Sequence, residues 1–311
     1  MATLAAATAW ATTAFVGTLM ITQAASWDGA RPVAATQALT PYIAVGVAIV
    51  ALGAHLAQQH VAACAVSVVG VVALVFTMPV VFPRALPPAG PDTQGVRLAS
   101  VNLLYTNERT TDIAGSLVDL ELDAVVFNEY TDAHRAGLLS SELADVLQYR
   151  VEVRGERADG IAIWAARPLT ATTPPPTAKP SVAAVLDNGV ELVGVHPPTP
   201  VGDNASWRRD LGQLATAIAD PDRPTVVLGD FNATYWNPSF RRLLDAGYHD
   251  AAIALGGGLT PTWPTDWLIP PFAPIDHALV ARDRLVPTEF DTFGVAGSDH
   301  RGIVVTVSPR R

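Results

Sequence analysis

The sequence predicts an α/β domain preceded by a membrane anchor of three helices. Charge divides the 311-residue chain first: residues 1–83 hold one basic residue, Arg31, and one acidic residue, Asp28, whereas residues 84–311 carry 19 basic and 28 acidic residues. From position 96 onward, apolar runs of strand length alternate with stretches of helical apolar spacing, which predicts α/β or α+β. The acidic balance of that part, a net of −9, gives no electrostatic footprint for gripping a nucleic-acid backbone.

The anchor is read from three uncharged runs, 4–25, 40–57 and 61–82, each long enough to cross a hydrocarbon core of about 30 Å. The first lacks the basic start of a signal peptide and is followed by two more, so an uncleaved helix is expected. The second, short and opening at Pro41, is expected to pair with the third as a hairpin, with Gly46, Gly53 and Gly70 allowing close packing. No charge lies inside a span, which argues against transport or proton relay; His55 is read as interfacial. The single cysteine, Cys64, sits in an apolar run and is read as a packing residue.

Residues 84–95, PRALPPAGPDTQG with the preceding proline, are expected to be a Pro-rich linker that lets the domain stand off the bilayer. Beyond it, strands are predicted at 96–102, 123–127, 150–153, 160–164, 181–186, 190–196, 225–229, 278–281 and 302–307. Helices are predicted at 111–122, 132–147, 206–219 and 238–246. Asp187-Asn188-Gly189 makes 181–186 and 190–195 a hairpin by its turn chemistry. Thr172–Pro180, with four prolines, reads as a stiff surface loop.

The stretch TVVLGDFNATYWN, Thr225–Asn237, runs apolar to its tip and then presents Asp230 and Asn232. A carboxylate at a buried strand tip needs a partner, because burying it unpaired is costly; an Asx-turn closing its own loop is the plainer alternative. Other strands end alike: in Asn102, in Asn128-Glu129, in His196, and beside Asp276-His277 and Ser298-Asp299-His300. Taken singly, each has a structural explanation; Glu129, for instance, could cap the helix that follows it. Six together point to a hard-oxygen metal site with histidines for proton transfer and phosphate stabilisation.

The ordered motifs SVN, NE, GVH, GDFN, IDH and SDH resemble the endonuclease/exonuclease/phosphatase (DNase I-like) superfamily over about residues 96–308. GDFNAT, PTWP at Pro261–Pro264, PIDH and GSDHR behind apolar helices look similar to its membrane-anchored branch related to bacterial teicoplanin-resistance proteins. The resemblance implies a four-layer α/β sandwich over 96–311. It implies that Asn102 and Glu129, with Asp299 near, hold magnesium or manganese, and that Asp276 orients His300. Asp230 would position the attacking water, and Asn232 and His196 would bind phosphoryl oxygens. Asn128 departs from the glutamine common before the glutamate, the serine common in the segment Ile163–Arg167 is missing, and no carboxylate partner for His196 can be placed.

These implications lead to a metal-dependent hydrolase of phosphoester or pyrophosphate bonds, its substrate a lipid-linked phosphate of the cell envelope presented by the bilayer. The alternatives are a nuclease, and a non-catalytic protein binding lipid or a partner, which would have no need of Asp276 behind His300. No protein partner is expected. Trp263, Trp267, Leu268, Ile269 and Phe272 read either as a packed loop or as a surface meeting lipid. Arg31 and Arg84 alone would place the domain in the cytoplasm by charge bias, but the resemblance points to the extracytoplasmic face of the cell membrane, which is the expectation adopted.

Overall fold

The computed structural model describes residues 1–90, 95–219 and 223–311. The chain opens with helices α1 (Ala2–Ala24), α2 (Arg31–Ala38), α3 (Thr40–Leu56) and α4 (His60–Val81). Among the described residues, only α1 and α4 are by themselves long and apolar enough to cross a membrane; α2 and α3 would make a third span only as a pair bent by 75°. The short helix α2 was not expected from the sequence. Pro32 opens it, where the missing N–H costs nothing. Of the three glycines expected to bring helices together, only Gly70 does so, against Val47 of α3; Gly46 and Gly53 face open space.

The remaining elements are β1 (Val96–Asn102), α5 (Thr110–Val118), β2 (Ala124–Asn128), α6 (Asp132–Leu139), α7 (Leu143–Val146), β3 (Tyr149–Val153), β4 (Ile161–Ala165) and β5 (Leu169–Ala171). They continue as β6 (Val182–Leu186), β7 (Glu191–Val195), α8 (Asn204–Ala217), β8 (Thr225–Asp230), α9 (Pro238–Asp245), β9 (Tyr248–Asp250) and α10 (Ala251–Ala254). The last three are β10 (Asp276–Ala281), β11 (Leu285–Gly294) and β12 (Arg301–Pro309). The helix expected over 132–147 is broken: Ser140 and Ser141 turn their hydroxyls back onto the carbonyls of Gly137 and Leu138.

Two six-stranded mixed sheets form, in the orders β11-β12-β1-β2-β4-β3 and β5-β6-β7-β8-β10-β9. Side-chain alternation builds the layers. Ala124 and Val126 of β2 meet Val226 and Leu228 of β8 in the core between the sheets. Val125 and Phe127 face outward under α5, α6 and α7. Val227 faces the opposite way, onto Trp207, Leu211 and Phe240 of α8 and α9. The result is helix, sheet, sheet, helix, the predicted sandwich.

The first helices do not stand away from this domain, contrary to the stand-off expected of the linker. Asp28, fully buried in the loop before α2, accepts from the Ser239 backbone N–H at 2.7 Å and from its hydroxyl at 2.9 Å, at the start of α9, and from Arg208 of α8 at 3.1 Å. A carboxylate on a helix N-terminus satisfies orphan donors and meets the positive end of the dipole. Asn237 donates to the Ala34 carbonyl, Arg241 to the Gln23 carbonyl and the Trp236 indole to the Phe76 carbonyl of α4. Residues 84–90 of the Pro-rich segment lie along the domain, with Arg84 bonded to Ala254 and Gly90 to Pro309; residues 91–94 of the expected linker lie outside the described residues.

Removing the Asp28 carboxylate should therefore loosen the joint between the helices and the domain. Asp28→Ala is expected to cost about 2–3 kcal/mol, the scale of hydrogen bonds to a charged group, read as a lower midpoint in thermal unfolding of the full chain in lipid nanodiscs. An unchanged midpoint would show that the joint contributes nothing.

Candidate active site

The polar residues at the strand ends meet where β1, β2, β7, β8, β10 and β12 end together, at the seam of the two sheets. Asp230 and Asp276 face each other across the antiparallel β8–β10 pair. Gly229 lets the strand reach this point: its φ is +155°, and a Cβ there would lie 2.0 Å from the Val195 carbonyl oxygen. Just past their strands, Glu129 and Asn232 take left-handed backbone conformations, φ 57° and 48°, which non-glycine residues adopt reluctantly and which concentrate at functional sites.

Asp230 Oδ2 accepts from Asn102 Nδ2 at 3.1 Å and lies 3.5 Å from His196 Nε2 and 3.7 Å from His300 Nε2. Its Oδ1 accepts from the Asn232 N–H at 2.8 Å, so the Asx-turn and the site use the same carboxylate. Asp276 Oδ2 bonds His300 Nδ1 at 2.9 Å, the orienting contact the resemblance implies. Asn102 Nδ2 also reaches Glu129 Oε1 at 3.3 Å, and Glu129 Oε2 accepts from the Tyr105 N–H. Asn232 Nδ2 donates to the Pro197 carbonyl, which fixes its amide beside His196. Asp299 lines the same cleft, with Oδ2 accepting from the Trp263 indole. All the predicted site residues thus converge on one place.

Burial alone would lower the His300 pKa, but the Asp276 and Asp230 carboxylates outweigh it and push the imidazolium up to about 10. Burial pulls Asp230 upward, yet the His300 charge and the bonds from His196 and the Asn232 N–H hold it below the usual carboxylate range. Burial dominates at Asp276 and raises it. At neutral pH the site therefore offers a charged imidazolium and an ionised Asp230.

Two buried carboxylates and Glu129 around one imidazolium leave a surplus of negative charge, which suits a cation. Of the set the resemblance implies, Asn102 and Glu129 touch, with the Asn102 oxygen accepting from the Leu104 N–H, and Asp299 is held by the Trp263 indole in the same cleft. Asp230, Asp276 and His300 also present atoms within 4.8 Å of one another, close enough to hold an ion. The Asp276–His300 hydrogen bond uses one oxygen of the carboxylate and one nitrogen of the ring, and Asp276 Oδ1 is buried without a partner among the described residues.

The sequence left several supports unread. Asn128, taken there as a departure, clamps the two sheets: its Nδ2 donates to the Val195 carbonyl and its Oδ1 accepts from the Asp230 N–H. Ser298 donates to the Asn102 carbonyl and accepts from the His300 N–H; Thr262 accepts from the N–H groups of Ile275 and Asp276. Among the described residues, the nearest carboxylates to His196 are Asp230 and Glu129, both on Nε2, and its buried Nδ1 has no partner. The cleft, about 470 Å³, is also lined by Ala34, Ala35 and Ala38 of α2 and by Leu39 just after it. A second cavity of about 480 Å³ beside Thr173–Pro176 holds none of the catalytic candidates. In the Trp263–Phe272 loop, Trp263, Trp267 and Phe272 pack edge-on or tilted against one another, while Leu268 is fully exposed.

Solved structures share this architecture. The chain superposes on an AP endonuclease from Archaeoglobus fulgidus with a TM-score of 0.55 at 13% identity, covering 68% of this chain and 98% of that one. On the 3′ phosphatase NExo from Neisseria the TM-score is 0.56 at 18% identity, covering 68% and 98%. On an endonuclease/exonuclease/phosphatase from Beutenbergia cavernae it is 0.54 at 17% identity, covering 70% and 72%. No curated protein sequence matches the chain. The Endonuclease/Exonuclease/phosphatase family signature spans residues 99–300, the stretch that contains the end of β1, every strand tip of the site and His300, and the chain belongs to that family.

Proposed function

We propose that this chain is a membrane-anchored, metal-dependent phosphoesterase that hydrolyses a phosphoester or pyrophosphate of a cell-envelope lipid. The observation that carries the reading is a single cleft in which Asp230, His196 and His300 face a wall made by α2, a helix of the apolar N-terminal segment. Within the family we place the chain beside the membrane-anchored proteins related to teicoplanin-resistance proteins, on its GDFNAT, PTWP, PIDH and GSDHR segments. We place the domain on the extracytoplasmic face.

Asp230, ionised and aimed into the cleft, orients the attacking water and accepts its hydrogen bond. Asn232 and His196 hold the non-bridging phosphoryl oxygens. The His300 imidazolium, kept charged by Asp276, offsets charge that develops on the phosphorus oxygens, a role that suits its raised pKa better than that of a base. Asn102, Glu129 and Asp299 would hold the divalent cation, which supplies Lewis-acid polarisation when bound.

Nucleic acid is the second reading, because fold neighbours include an AP endonuclease and a phosphatase solved with a product DNA hairpin. The net charge of −9 and the apolar wall favour lipid. Long-chain prenyl pyrophosphate in mixed micelles should be turned over faster than abasic or 3′-phosphorylated DNA at 0.15 M salt, side by side with magnesium; the reverse order would establish a nuclease.

Asp230→Asn and His300→Ala should each lower kcat on the order of 10²-fold or more while the domain stays folded at the assay temperature, as circular dichroism would show. Glu129→Gln should instead raise the magnesium concentration needed for half-maximal rate. Near-normal rates in the first two variants would remove those residues from the reaction.

The His300 charge also sets a pH dependence. A raised folded pKa means that the imidazolium is present through neutrality and lost as pH rises through about 10. The rate should fall on that alkaline limb, and the limb should be missing from the residual activity of His300→Ala. A rate that climbs with pH across this range would make His300 a base.

A further inference from the structure

We propose that α2 forms a hydrocarbon-chain subsite of the cleft, so that the substrate is an amphiphile with its phosphate at Asp230 and His300 and its chain laid along α2. This rests on the phosphoesterase reading and names the part of the substrate that reading leaves open.

The cleft has two chemically distinct sides. One carries the ionisable and amide groups of the strand tips, including His196, whose ring is buried and whose Nδ1 has no partner. The other set of lining residues, Ala34, Ala35, Ala38 and Leu39 with Phe272, Ala273 and Ile275, is uncharged, and Lys179 is the one basic side chain besides the histidines that reaches the cleft. Alanines at i, i+1 and i+4 keep the helix face flat and leave room beside it. The polar residues of this short helix, Arg31, Thr36 and Gln37, are not part of the cleft lining, so the side it turns to the site carries no polar side chain.

The apolar wall is continuous with surface that suits lipid. Phe272 packs edge-on against Tyr42, with ring centroids 6.4 Å apart, and its carbonyl accepts from the Tyr42 hydroxyl at 2.9 Å. Tyr42 lies in the first turn of α3, whose Val45, Ile49 and Leu52 are exposed and uncharged. The same loop projects Trp267, Leu268 and Ile269 outward, with Leu268 wholly exposed. A chain leaving the cleft along α2 therefore meets apolar side chains all the way to the start of α3, where an aromatic with a polar tip is the residue expected at a membrane boundary. A polyanion such as DNA would place its charge against this wall and gain nothing from it.

The test uses the full chain in lipid nanodiscs and a long-chain alkyl phosphonate, which cannot be hydrolysed, bearing a diazirine near the chain end. Photolysis followed by peptide mapping should place label on residues 31–39 and 270–275, and Ala38→Trp, which fills the groove, should reduce that label about tenfold. Label confined to α1 and α4, or untouched by Ala38→Trp and by the smaller change Ala35→Leu, would overturn the subsite. In kinetics, the ratio of kcat/KM for a fifteen-carbon over a five-carbon isoprenyl pyrophosphate should fall about tenfold in Ala38→Trp, the scale of losing contact with two methylenes. An equal loss on both substrates would likewise overturn it. If wild-type protein hydrolyses neither substrate, nor an aryl phosphodiester, the phosphoesterase reading fails, and the labelling result still decides whether α2 binds a chain.

Discussion

Two carboxylates buried side by side, with one imidazole between them and the cleft, constrain everything else at the site. Asp230 and Asp276 are opposed in the β8–β10 register, and neither can shed its charge into water. His300 answers both, through a direct bond to Asp276 and a longer approach to Asp230. The neighbours are arranged to hold this balance. Thr262 fixes the Asp276 backbone, Ser298 fixes the His300 backbone, and Asn128 fixes that of Asp230. The negative charge of Glu129 and Asp299 adds to this arrangement, which suits a cation.

The helical segment is joined to this chemistry by another buried charge. Asp28 sits in the loop that leads to α2, and its three bonds to α8 and α9 set where α2 lies. Because α9 begins only eight residues after Asp230, a contact that caps a helix also seats an apolar wall over the cleft. Sequence composition separated the two parts by charge alone, and the structure unites them through the one acidic residue that the apolar part retains.

What could be read from the sequence followed from how strongly each element announces itself. Strand β8 is buried on both faces and ends in a polar turn, so an apolar run and an abrupt Asp230 sufficed. The strands β5, β9 and β11 were missed because two have only three residues and the third carries Pro287, Thr288 and Glu289 on an exposed edge with a bulge. Helix α2 was hidden because its mixture of Ala, Thr and Gln is neither apolar enough for a span nor patterned for a domain surface. The catalytic candidates were legible as residue types at strand ends. The supports Asn128, Ser298 and Thr262 were not, since each acts through backbone atoms of residues far away in sequence. Glycine spacing overstated the packing of α3, because Gly46 and Gly53 meet no neighbour.

The strand tips that make the site are divided between the sheets: Asn102, Glu129 and His300 belong to one, His196, Asp230 and Asp276 to the other. Neither sheet holds a working set, and the only covalent links between them are chain crossovers. Assembly of the candidate site is thus a property of the apolar interface around Val126, Leu228 and Ile303 rather than of any one loop. Activity in such a molecule cannot outlast the association of its two halves. Heat or denaturant should extinguish turnover in the same cooperative step that parts the sheets, and two complementary fragments of the chain would regain it only on reassembly.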